Sequence, residues 1–152
     1  MKKRKPAVFL DRDGTLIADA EYLSDPSQIR LFSKTPLALK LLRKAGYLLF
    51  VVSNQSGVAR GYFPESMVGK VHGKLRKLLK AKGAKIDAFF YCPHYPGGKI
   101  KAYSRVCDCR KPGIGMIRKA IRRYPIDLQK SYVVGDKMDD LLLGRKAKLA
   151  GG

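Results

Sequence analysis

The sequence predicts an α/β domain: a parallel sheet with helices on both faces. Three observations predict it. Short, continuous apolar runs alternate with longer amphipathic ones along the chain. The short runs lack the in-out alternation of half-exposed strands, so both of their faces should be buried. Asp11, Ser53, Cys92 and Gly135-Asp136 stand at or just past the ends of those runs, where an open parallel sheet places its ligand site. The chain of 152 residues can build one domain with a real core and is short for two. Residues 1–152 are therefore read as a single domain, with no internal repeat, low-complexity segment or linker.

Ala7-Val8-Phe9-Leu10 is the first predicted strand. A helix follows over Thr35 to Ala45, with Leu37, Leu41, Leu42 and Ala45 at helical spacing and Gly46 to end it. Tyr47 to Val52 is the second strand. Pro64 opens a helix to about Ala81, closed by Gly83, and Ile86 to Tyr91 is the third strand. Pro112 stands where a first-turn proline belongs and begins a helix to about Tyr124. Ser131 to Val134 is the fourth strand, and Met138 to about Leu149 the last helix. Between Cys92 and Lys111 lies an irregular stretch, long for a compact domain, which needs its own source of order.

Composition bounds the function. No run of eighteen apolar residues exists, so no membrane span is predicted. The basic start, Met1-Lys2-Lys3-Arg4-Lys5, leads into an apolar stretch of only Ala7 to Leu10 before Asp11, which argues against a secretory signal. Three cysteines, two of them one residue apart, suit cytosolic thiols or metal ligands better than a secreted disulfide framework. A cytoplasmic monomer is the resulting expectation. The net charge of +20, from 32 basic and 12 acidic residues, would attract polyanions or phosphorylated ligands. The lysines are scattered along helices without arginine-aromatic interleaving, so a solvated basic surface is preferred to a nucleic-acid partner. His72, among lysines, is expected on a helix surface.

The chemistry begins at Phe9-Leu10-Asp11-Arg12-Asp13-Gly14-Thr15. Two carboxylates two residues apart at a strand end point to the same side. One can attack phosphorus while the other protonates the leaving oxygen, and Gly14 permits the sharp turn that brings amides to a phosphate. A strand ending in an Asp-Gly turn would also read this way, but D-x-D-G-T directly after a buried strand is specific. Ser53 ends the second strand and can hydrogen-bond a phosphate oxygen. Arg110-Lys111-Pro112 puts cations near a helix start, where they stabilise a transferring phosphoryl group. Gly135-Asp136-Lys137-Met138-Asp139-Asp140 puts acids after the fourth strand. By spacing Asp140 orients the site, with Asp139 a nearby alternative.

These four segments, in this order, resemble the signatures of the haloacid dehalogenase (HAD) superfamily of phosphatases. The resemblance implies a Rossmann-like HAD fold, with Asp11 as nucleophile and Asp13 as general acid/base. It also implies a catalytic magnesium held by Asp11, Asp136 and the backbone carbonyl of Asp13. Cys92-Pro93-His94 and, after twelve intervening residues, Cys107-Asp108-Cys109 offer three thiols and one imidazole, a full tetrahedral set for zinc. Reduced thiols and a loop histidine are the plainer reading. With four protein ligands a zinc here would be structural, and it would order the long loop.

The zinc set and the stretch Ser53-Asn54-Gln55-Ser56-Gly57-Val58-Ala59-Arg60-Gly61 are similar to the branch of heptose-bisphosphate and histidinol-phosphate phosphatases, closer to the former. That branch lacks a large cap domain and shapes its site with three loops. The resemblance, from about Ala7 to Leu143, implies a small phosphorylated sugar as substrate. It implies that Asn54 and Arg110 join Ser53 and Lys111 on phosphate, and that Arg60 sits near the sugar or its second phosphate. A bisphosphate needs cations for both ends, and arginine binds phosphate bidentately. Histidinol phosphate and a polynucleotide 3′-phosphate are the alternative substrates, the latter on account of the charge. Relatives continue with another strand and helix beyond the last helix seen here, so a C-terminal strand is expected to be missing and one sheet edge uncovered.

Overall fold

The structure, a computed structural model, describes residues 2–152. Its centre is a four-stranded parallel sheet: β1 (Ala7–Leu10), β2 (Leu48–Asn54), β3 (Ala88–Cys92) and β4 (Tyr132–Val134), in spatial order β3-β2-β1-β4. Phe9 lies opposite Phe50 on one side and Val133 on the other, and Asn54 opposite Cys92. All four residues of β1 are buried, as its unbroken apolar run requires. Alternate side chains go to opposite faces. Ala7 and Phe9 join Phe50, Val52, Met116, Ile117 and Leu143 in one core layer. Val8 and Leu10 join Leu49, Val51, Leu39, Val71 and Leu75 in the other.

Helices α1 (Thr35–Lys44) and α3 (Glu65–Ala81) cover the second layer; α4 (Gly115–Arg123) and α5 (Met138–Lys146) cover the first. A short helix, α2 (Gly57–Arg60), follows β2 and was not foreseen. The end of α1 is as the sequence predicts. Gly46 adopts φ 95°, and the amide of Tyr47 returns to the Leu42 carbonyl at 3.2 Å. Among the described residues no helix is long and apolar enough to cross a membrane.

Four expectations need correction. The third strand begins at Ala88, not Ile86. The Asp87 carboxylate accepts from the Leu49 amide and from Arg43 Nη2, each at 2.8 Å, so it caps the strand start instead of lying within it. The helix expected from Pro112 starts at Gly115. The amides of Gly113 and Gly115 turn back to the carbonyls of Arg110 and Asp108, at 2.7 and 2.8 Å, and hold a tight turn there. The last helix stops at Lys146, because Lys148 takes a left-handed φ of 56°. His72 is not a surface residue. It shares the buried side of α3 with Val68, Val71, Leu75 and Leu79, and its ring stacks on Phe89 at 4.8 Å. Its lysine neighbours misled where the helical period, counted from Val68 and Leu75, would not have.

β4 is an edge strand. Tyr132 and Val134 are exposed, while Val133 between them is fully buried. Gly151 forms a parallel bridge to Tyr132, its carbonyl accepting from the Val133 amide at 3.1 Å.

Candidate active site

The carboxyl ends of β1, β2 and β4 meet at a cavity of about 450 Å³, lined among others by Asp11, Asp13, Asn54, Arg60, Arg110 and Lys111. Asp11 continues β1, its amide donating to the Val134 carbonyl at 2.9 Å, and is nearly buried. Gly14 has φ 80°, and a Cβ there would overlap the Asp136 carboxylate. The turn thus needs glycine for its backbone angle and for the close approach of the first and fourth motifs.

Lys111 reaches the centre from the segment between β3 and α4. Its buried Nζ donates to the Val52 carbonyl at 2.8 Å and to Asp140 Oδ1 at 2.6 Å, and lies 3.1 Å from Asp11 Oδ1. Asp140 is fully buried and its other oxygen accepts from the Lys137 amide. It thereby holds the lysine beside Asp11. Asn54 grips the Lys111 backbone from both sides, accepting from its amide at 2.9 Å and donating to its carbonyl at 3.2 Å.

Asp13 leans away from Asp11 toward a buried network absent from the sequence reading. Arg12, 1% exposed, forks onto it: Nε to Oδ1 at 3.1 Å and Nη2 to Oδ2 at 3.0 Å. Gln55 accepts from Arg12 and donates to Asp13 Oδ2 at 3.1 Å and Ser53 Oγ at 2.6 Å. His72 Nε2 lies 3.2 Å from Arg12 Nη1. Burial, then the charges of Arg12 and Arg76, push the His72 pKa down to about 3, so the ring is a neutral acceptor. The one available sign of this network in the sequence was a glutamine two residues past Ser53, on the same side of the chain.

Carboxylate oxygens of Asp11, Asp136 and Asp140 lie within 4.8 Å of one another. Burial pushes the Asp11 pKa up to about 6; Lys111 pulls it down and Asp140 adds to the rise. Three crowded carboxylates facing one lysine suit a hard divalent cation, which favours their ionised forms. The sequence reading had Asp13 in the metal set through its backbone carbonyl; its carboxylate is committed to Arg12 and Gln55. Cys92, the last residue of β3, and His94, Cys107 and Cys109 of the loop after it converge with their donor atoms within 4.8 Å. His94 presents Nδ1, 3.3 Å from Cys109 Sγ and 3.6 Å from Cys92 Sγ. The three-thiol, one-imidazole set fits a closed structural zinc site.

Residues 6–148 match the family model described as polynucleotide kinase 3 phosphatase. A D-glycero-beta-D-manno-heptose-1,7-bisphosphate 7-phosphatase of Pasteurella multocida is 43% identical, over 95% of this chain and 78% of its own. The chain belongs to both families, and so to the HAD phosphatases. An alpha-anomer member from Photorhabdus laumondii is 41% identical, over 91% of this chain and 76% of its own. Among solved structures, a D,D-heptose 1,7-bisphosphate phosphatase of B. bronchiseptica complexed with magnesium and phosphate aligns with a TM-score of 0.82. It is 33% identical, over 95% of this chain and 77% of that one. A HAD-like protein of Mesorhizobium loti aligns at TM-score 0.92 and 39% identity, over 97% and 71%. The phosphatase family accounts for the D-x-D-G-T turn, the lysine beside Asp11 and the acids after β4 together.

Proposed function

We propose that this protein removes the C7 phosphate of D-glycero-D-manno-heptose 1,7-bisphosphate, leaving the heptose 1-phosphate, as a cytoplasmic monomer. The observation that carries the chemistry is the pairing of Asp11 with Lys111 Nζ at 3.1 Å beneath an open cavity. The names of its relatives support the substrate.

Asp11 attacks phosphorus, and the bond from phosphorus to the C7 oxygen breaks. Asp13 gives that leaving oxygen its proton. Asp13 then takes a proton from water, whose oxygen attacks the aspartyl-phosphate, and inorganic phosphate leaves with Asp11 restored. Lys111 and Ser53 hold the transferring phosphoryl group, and Asn54 keeps Lys111 in place. Arg110 and Arg60 take the second phosphate and the sugar. Asp11, Asp136 and the Asp13 carbonyl would hold magnesium, which supplies charge neutralisation between carboxylate and phosphate. Zinc on Cys92, His94, Cys107 and Cys109 would order the loop and, with four protein ligands, take no part in the chemistry.

A polynucleotide 3′-phosphate is the second reading, favoured by the description of the matching family model. Six of the 12 carboxylates line the cavity, a poor field for a polyanion at the mouth. Phosphate release with magnesium should be measured on the heptose bisphosphate, histidinol phosphate and a 3′-phosphorylated oligonucleotide. The heptose should be fastest, and Asp11→Asn should lower its turnover by ~10³-fold or more. A faster oligonucleotide would move the substrate; equal turnover in Asp11→Asn would sink the mechanism.

A further inference from the structure

We infer that Tyr95 is a specificity-determining positioning residue: an aromatic platform that holds Arg60 and Arg110 together as a clamp for a substrate's second, non-reacting phosphate. The inference rests on the bisphosphate reading and deepens it.

The guanidinium carbon of Arg60 lies 3.8 Å from the Tyr95 ring centroid, and that of Arg110 lies 5.2 Å from the same centroid. One ring therefore serves two cations that would otherwise repel. Among the described residues neither arginine forms an ion pair with a carboxylate. Both line the cavity that holds Asp11, whereas Tyr95 does not. Arg110 Nη1 is buried without a hydrogen-bond partner, so this guanidinium is held by packing against the ring and not by an acceptor of its own. Arg60 is steadied further by Nε donating to Ser56 Oγ at 3.2 Å and by Tyr22, 5.5 Å from its guanidinium carbon.

The chain path explains how one ring can meet both arginines. Arg60 ends α2, and Arg110 directly follows Cys109 of the metal-binding set. The loop carrying Tyr95 docks on α2: Ile100 donates its amide to the Ala59 carbonyl at 2.9 Å, and Gly98 packs so closely on Ala59 that a Cβ would overlap it. Tyr95 itself is fixed by its amide donating to the Tyr103 carbonyl at 3.1 Å. The quadrupole of the ring offsets the repulsion between the guanidiniums, and with Nε of Arg60 on Ser56 its two terminal nitrogens are left for phosphate oxygens. A monophosphate with no second anion gains nothing from this clamp, so the platform acts on discrimination and not on the chemical step.

The test compares heptose 1,7-bisphosphate with p-nitrophenyl phosphate in wild type, Tyr95→Leu and Tyr95→Phe, with zinc content measured in each. Tyr95→Leu should raise KM for the bisphosphate about tenfold, with a much smaller change in kcat, and lower the preference for the bisphosphate by a similar factor. Tyr95→Phe keeps the π face and should restore most of that preference. Equal losses on both substrates, or loss of zinc from Tyr95→Leu, would mean a general structural role and overturn the inference. If wild type prefers the bisphosphate and Tyr95→Leu keeps that preference, the substrate reading stands and the platform fails. If wild type has no such preference, both fail.

Discussion

Gln55 uses both ends of its amide: the oxygen accepts from Arg12, and the nitrogen donates to Ser53 and Asp13. A leucine of similar volume would leave the buried Arg12 short of an acceptor and take one of three donors from the Asp13 carboxylate. Gln55→Leu should therefore lose about 1–3 kcal/mol of stability in urea unfolding and lower kcat more than it changes KM. His72 adds a pH dependence. In the unfolded chain it titrates near 6.5, but in the folded protein near 3. Below pH 6.5 the unfolded state takes up a proton that the folded state refuses. Stability is therefore flat in this residue above about pH 6.5 and falls on acidification toward pH 3, by up to about 1.4 kcal/mol per pH unit. His72→Gln keeps an acceptor for Arg12 and removes the titration, so its unfolding free energy should depend less on pH between about 5 and 7. The same slope in both proteins would show that another group is responsible.

At the scale of elements, the loop from β3 to α4 has the greatest reach. It has little regular structure, yet it carries His94, Cys107 and Cys109, which join Cys92 at the end of β3, as well as Tyr95, Arg110 and Lys111. Its order should therefore depend on a bound metal, and Lys111 follows two residues after Cys109. A strong chelator should lower Tm and open the loop to trypsin at Lys101 and Arg105, both exposed. Zinc should reverse both effects where magnesium does not. Unaltered cleavage and Tm in a metal-free sample would show that the loop is ordered by its own packing.

Across the whole molecule, charge is sorted by the direction of the elements. The strands run toward the cavity, and the helices that connect them run back. The last turns of α1, α3, α4 and α5 carry Arg43, Lys44, Lys80, Arg122, Arg123, Arg145 and Lys146. These cations compensate the negative ends of the helix dipoles and lie at the end of the sheet away from Asp11. The acids gather at the cavity. With +20 overall and six ion pairs among the described residues, self-repulsion should dominate the surface electrostatics. Raising ionic strength from about 0.01 to 0.15 M, where the Debye length falls to about 8 Å, should raise the urea midpoint. A lowered midpoint would mean that ion pairs outweigh the repulsion.

Local sequence by itself determined the parallel α/β layout, the Asp11-Asp13 turn, the lysine before Pro112, the acids after β4 and the four-ligand loop. Each is written in adjacent residues: an apolar run too continuous for a half-exposed strand, a glycine where φ must be positive, donors at fixed short spacing. Only the tertiary structure decided the rest. Arg12 meets Gln55 and His72 across 43 and 60 residues, Lys111 reaches Asp11 and Asp140 at the carboxyl ends of the strands, and Tyr95 joins Arg60 to Arg110. Such contacts between side chains far apart in sequence depend on how strands register and loops dock. A single sequence carries the propensity of each residue but not the identity of the neighbour that packing will bring to it.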